Sequence, residues 1–226
     1  MPGKTLLVLG SGPGIGVGVA STFAVRGFTH IALVSRNGDR LKEDQGKVLD
    51  AIQERGYSCQ VKTWTCDLTD FEALGKTLKE VEGFGTLECV LFNAARVAGK
   101  PPLEEDVEAI EKDFRLTNLA LYEVAKWAIP QLKSAENPSL FVTSTTQLYK
   151  EPVADLVSLS LVKSAQRSLV LSLVVKFPDV HVGLLSIGGV VSPEAKNLNP
   201  ENIADRAWSL YSQKKGQWKR EEEVHE

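Results

Sequence analysis

Thr5-Leu6-Leu7-Val8-Leu9, followed directly by Gly10-Ser11-Gly12-Pro13-Gly14-Ile15-Gly16, decides how this chain is read. The first five residues are an unbroken apolar run, as a strand buried on both faces requires. The next seven place glycines in the register G-x-x-x-G-x-G at Gly10, Gly14 and Gly16. The commoner register G-x-G-x-x-G fails, because its third glycine falls on Ile15 counted from Gly10 and on Val17 counted from Gly12. Ile15, Val19, Ala20, Phe23 and Ala24 then recur at helical spacing, so a helix is expected from about Gly14 to Arg26. Strand, glycine turn and helix in that order make an anion site. Backbone N–H groups and the positive end of a helix face outward, and no side chain blocks the approach of a pyrophosphate.

Working outward, apolar runs and amphipathic stretches alternate to the end of the chain. Strands are expected over His30–Ser35, Ser58–Trp64, Leu87–Phe92, Ser139–Ser144 and His181–Ile187, with a final edge strand in Trp218–Val224. Helices are expected over Asp39–Glu54, Asp70–Val81, Val107–Leu132, Asp155–Phe177 and Pro200–Tyr211, the last with proline at its first position. Such alternation implies a parallel sheet covered on both faces, an α/β, three-layer, doubly wound Rossmann-type fold with a mostly parallel sheet. No Pro/Ser-rich linker interrupts the pattern, so residues 1–226 are expected to form one dinucleotide-binding domain with a charged tail from about 215.

Composition narrows the function classes. Lys and Arg number 26 against 29 Asp and Glu, a net charge of −3, which gives no field for nucleic acid. Cys59, Cys66 and Cys89 lack C-x-x-C spacing and read as reduced thiols, with cytoplasmic location the expectation. No run of apolar residues reads as a membrane span, since Lys163, Gln166 and Arg167 interrupt the richest stretch, Leu156–Val175. No cluster carries metal-ligand spacing, so no metal is expected.

The second strand ends Val34-Ser35-Arg36-Asn37. An acidic residue at this point would accept from a ribose 2′-hydroxyl; here stand Ser35 and then Arg36, whose guanidinium matches a 2′-phosphate. NADP(H) is the expected cofactor.

These features, together with others spread along the chain, resemble the short-chain dehydrogenase/reductase family. The glycine register is the family's own. Asp67-Leu68 resembles its Asp-Val/Leu pair, in which the acid contacts the adenine. Asn93-Ala94-Ala95-Arg96 resembles its Asn-Asn-Ala-Gly, with Arg in place of the last Gly. Asn118, Thr146, Leu159 and Lys163 stand 28, 13 and 4 residues apart, the spacing of the family's Asn-Ser-Tyr-Lys tetrad. The resemblance implies cofactor contacts from Gly10, Ser11, Gly14, Ile15, Gly16, Ser35, Arg36, Asp67, Leu68, Asn93, Ala94 and Lys163. It also implies that Lys163 binds the nicotinamide ribose, that Thr146 orients a carbonyl and that Asn118 holds a water. Family members commonly pair the helices carrying Asn118 and Lys163 across a dimer, which implies a homodimer or homotetramer.

One departure dominates. The family's proton donor is the tyrosine of Tyr-x-x-x-Lys, and this chain has Leu159 there. Tyr149, on the loop after the fifth strand, is the first candidate to replace it; Asp155 and Tyr122 are the others. The Pro-Gly that follows the sixth strand in the family is Ile187-Gly188-Gly189 here, and the segment up to Pro200 is short. The leading expectation is an NADPH-dependent reductase of a small carbonyl or imine. The alternatives are a non-redox cyclase or isomerase in the same pocket, or a catalytically inactive NADP(H)-binding protein.

Overall fold

The computed structural model describes residues 3–145, 148 and 153–226. Seven strands form one sheet: β1 (Lys4–Leu9), β2 (His30–Ser35), β3 (Gln60–Thr65), β4 (Thr86–Phe92), β5 (Ser139–Ser144), β6 (His181–Ile187) and β7 (Glu221–Val224). Their order is β3-β2-β1-β4-β5-β6-β7, and every neighbouring pair is parallel. The sheet is thus wholly parallel. The edge strand is confined to Glu221–Val224, shorter than the Trp218–Val224 stretch.

Helices cover both faces. α1 (Ile15–Ala24), α2 (Gly38–Glu54) and a late helix over Pro200–Tyr211 lie on one side; α3 (Phe71–Glu82), α4 (Val107–Phe114), α5 (Ala120–Leu132) and α6 (Val157–Lys176) bear on the other. The late helix is α7. β1 shows why the strand sequence is apolar throughout. Leu7 and Leu9 join the core on the α5 side, Leu6 and Val8 the core on the α1 side, and all four are wholly buried. Truncating any one of them to alanine is expected to cost about 3 kcal/mol.

Two helices differ from the periodicity. The stretch expected as one helix over Val107–Leu132 is broken by a π-turn at Arg115–Leu119, where the Ala120 N–H donates to the Arg115 carbonyl five residues back. The helix expected from Asp155 begins as a 3₁₀ turn (Ala154–Leu156) and becomes α-helical only at Val157. With that turn, α6 is long and apolar enough to span a bilayer by length and composition, contrary to the sequence expectation. It lies instead along β5 and β6, with Ser158, Leu159, Val162, Lys163, Gln166 and Val170 as its buried stripe. Leu161 and Val175 face outward, 54% and 77% exposed, so the helix is amphipathic in placement although not in composition.

Candidate functional site

The glycine turn leaves β1 with Gly10 at φ +86°, a backbone conformation that strains any residue with a Cβ. A Cβ here would also fall 2.6 Å from the backbone of Ala94. The N–H groups of Gly10 and Ser11 both donate to the Val34 carbonyl, at 2.9 and 3.0 Å, which ties the turn to the end of β2. Ser11 Oγ donates to Asp44 Oδ2 at 2.8 Å, so this hydroxyl braces the turn against α2 from below. A Cβ on Gly12 would meet nothing within 4 Å, and one on Gly14 only Val191 at 3.9 Å. α1 starts just after Gly14, with no side-chain cap and no acidic residue in its first turn. Its N-terminal N–H groups therefore face an open, bare-backbone cradle, which suits a pyrophosphate.

The residues expected to select the nucleotide lie beside it. Ser35 closes β2, and Arg36 is exposed at the strand end. The Asp67 carboxylate accepts from the N–H and the hydroxyl of Thr69, at 2.9 and 2.8 Å. Those bonds, with a smaller contribution from the Arg36 charge, hold it below the usual carboxylate range. Leu68 is buried behind it, as Ala94 is behind Gly10.

A chain of hydrogen bonds, buried around Lys163 and Gln166 and part-buried at Asn93, runs from the glycine turn to the π-turn. Asn93 Nδ2 donates to the Gly10 carbonyl at 2.9 Å, and Thr143 Oγ1 donates to Asn93 Oδ1 at 2.9 Å. Lys163 Nζ donates to the Thr143 carbonyl at 2.8 Å and to Gln166 Oε1 at 2.9 Å. Gln166 Nε2 donates to the Thr117 carbonyl, again at 2.9 Å. The Lys163 amine thus has neutral acceptors only among the described residues, and burial pushes its pKa down to about 7. Beside Thr117, Asn118 is 5% exposed, and neither polar atom of its amide has a partner among the described residues.

Leu159, one turn before Lys163, is buried in a small apolar cluster with Leu148 and Val162. Of the candidates to replace a tyrosine there, Thr146's neighbour on the loop, Tyr149, lies with Thr146 itself outside the described residues. Asp155 is exposed in the 3₁₀ turn. Tyr122 is 55% exposed whereas Asn118 is buried. The π-turn between them changes the residues per turn, so a four-residue spacing no longer keeps one face.

Sequence reading missed a second cluster. Arg96 grips Asp113 with two bonds of 2.8 Å, and Ser158 Oγ donates to the same carboxylate at 2.6 Å. This joins the loop after β4 to α4 and to α6 immediately beside Leu159. The only sequence signal was the arginine in place of glycine at the end of Asn93–Arg96. Gln166 carried a signal too, as an amide within an apolar helix.

The short chain dehydrogenase family model matches residues 4–202. Short-chain dehydrogenase/reductase 3 of Bos taurus is 30% identical over 135 residues, 59% of this chain and 43% of that protein, and this chain spans less than half the length of the curated relatives it first matches. A short-chain dehydrogenase from Rhodopseudomonas palustris superposes with a TM-score of 0.83 at 22% identity, over 99% of this chain and 98% of that one. An alcohol dehydrogenase from Thermococcus sibiricus, solved with 5-hydroxy-NADP, gives 0.82 at 23% identity, over 97% and 95%. With the glycine turn, the strand order and the match over most of its length, this chain belongs to the short chain dehydrogenase family.

Proposed function

We propose that the protein is an NADP(H)-dependent oxidoreductase acting on a small organic carbonyl or imine, with Leu159 in the place of a proton-donating tyrosine. The observation that carries this reading is the cradle at Gly12 and Gly14, where bare backbone and the uncapped start of α1 leave N–H groups for a pyrophosphate. Arg36, exposed at the end of β2, supplies a guanidinium for a 2′-phosphate. When bound, the reduced nicotinamide supplies a hydride.

The chain's own residues do the rest. As an ammonium, Lys163 keeps one N–H beyond those given to Thr143 and Gln166, available to a ribose hydroxyl. The unpartnered Asn118 amide is suited to a polar atom of the substrate or to a water. Leu159 has no proton to give and presents an apolar wall. That favours a substrate needing no proton from the protein as the hydride arrives, such as an iminium ion, over a simple ketone.

The same reading includes a homodimer or homotetramer. It is supported by the outward face of α6 at Leu161 and Val175 and by Phe114, Leu119 and Tyr122 on the neighbouring helices, all at least 41% exposed. Analytical ultracentrifugation reads the assembly directly.

The test of activity is NADPH consumption over a panel of cyclic imines and carbonyls. Consumption with imines ahead of ketones supports the proposal. Conversion of substrate without NADPH loss replaces it with the cyclase or isomerase reading, and NADPH binding without any conversion replaces it with an inactive binder.

A further inference from the structure

Gln166 is wholly buried in α6, a helix whose other buried residues are Ser158, Leu159, Val162, Lys163 and Val170. A primary amide in such surroundings is destabilising unless both its ends are satisfied. Both are. The Thr117 carbonyl can only accept, so Nε2 must face it, and Oε1 is then turned toward the Lys163 amine. The amide orientation is fixed by its partners, and the lysine must donate to it in either charge state.

The groups around Lys163 are uncharged on every side that the described residues form. β5 contributes the Thr143 carbonyl, α6 contributes Gln166, and the π-turn contributes the Thr117 carbonyl with Asn118 next to it. The loop after β4 contributes Asn93, through Thr143. The carboxylate of Asp113 on α4 is taken up by Arg96 and Ser158. Lys163 has no ion-pair partner among these residues, and burial lowers its basicity.

We infer that Gln166 is a positioning residue for Lys163. Through it, the π-turn at Arg115–Leu119 fixes where the amine sits and, by offering a neutral acceptor in place of a carboxylate, keeps it from being held permanently as a cation. The inference rests on the reading of this pocket as an NADP(H) site only for its functional consequence. That consequence is that cofactor binding by Lys163 depends on the charge state of its amine, which Gln166 tunes.

The experiment is NMR titration of the lysine side-chain signals in isotopically labelled protein, with Lys163 assigned by its loss in Lys163→Met. Wild type, Gln166→Glu and Gln166→Leu are compared without cofactor, and NADPH affinity is then measured against pH. The wild-type midpoint is expected near 7. Gln166→Glu places a carboxylate beside the amine and is expected to raise the midpoint by about two units or more; Gln166→Leu removes an acceptor and is expected to lower it by about one. A merely structural amide would alter melting temperature in Gln166→Leu and leave its midpoint where it was. A midpoint within about 0.3 units of wild type in Gln166→Leu overturns the inference. If Gln166→Leu does not fold, Gln166→Met, which also lacks the amide acceptor, carries the test. Failure of NADPH to bind the wild type overturns the cofactor reading and leaves the titration result standing.

Discussion

The guanidinium of Arg96 meets the carboxylate of Asp113 side-on, Nε to Oδ1 and Nη2 to Oδ2, both at 2.8 Å. Asp113 is 3% exposed, so the pair is anchored on one side in the interior. Removing the arginine leaves a buried carboxylate with Ser158 as its remaining partner among the described residues. Arg96→Ala is expected to lose about 3 kcal/mol of stability, and Arg96→Ala with Asp113→Ala together less than the sum of the single changes. Urea denaturation of the three variants checks this. Additive effects would show that the pair is not coupled.

Gly10 and Gly12 stand two residues apart in the same turn and are expected to respond oppositely. Gly10→Ala puts a Cβ at positive φ and against the Ala94 backbone, so it should destabilise the fold by about 2 kcal/mol or more. Gly12→Ala meets nothing and should melt like the wild type. Its methyl group nonetheless enters the cradle, and NADPH affinity is expected to fall by about 10-fold or more. Melting curves and binding isotherms on the two variants separate these effects.

Burial depresses Lys163 from 10.5 to about 7. Between those values the unfolded chain carries a proton on this group that the folded chain does not, so its contribution to stability rises with pH across that window. Below about pH 7 both states are protonated and the cost of burying the cation is present in full; above 10.5 it is absent. The stability difference between Lys163→Met and wild type is therefore expected to fall by about 3 kcal/mol from pH 7 to pH 10. Chemical denaturation at several pH values measures it, and a flat difference would contradict the buried amine.

Leu159→Tyr returns a phenol one turn before Lys163, at a position 6% exposed. Turnover of ketone substrates is expected to rise by about 10-fold or more, while that of iminium substrates stays within about 3-fold. Steady-state rates on one substrate of each kind check it. An equal rise on both would mean that the leucine limits something other than proton supply.

Much of this architecture is legible in the sequence, for particular reasons. β1 has to be apolar on both faces because two cores press on it, and the glycines after it are required by a positive φ at Gly10 and an open cradle at Gly12. Those are local demands and leave local marks. The π-turn leaves none, since Arg115–Leu119 contains no proline or glycine to announce a break. Gln166 and Thr117 are 49 residues apart, and Arg96 and Asp113 are 17 apart. Their pairing is set by how α6 lies against the π-turn and how the loop after β4 lies against α4, which no periodicity records. The same holds for Ser11, whose place in the glycine turn suggests a ligand and whose hydroxyl is given to Asp44 on α2.

The glycine cradle and Arg36 together are proposed to bind NADP(H). Isothermal calorimetry of the wild type and Arg36→Ala with NADPH and with NADH tests this most directly. NADPH is expected to bind the wild type more tightly than NADH, and Arg36→Ala to weaken NADPH by about 10-fold or more with little change for NADH. Failure of the wild type to bind either nucleotide would contradict that proposal.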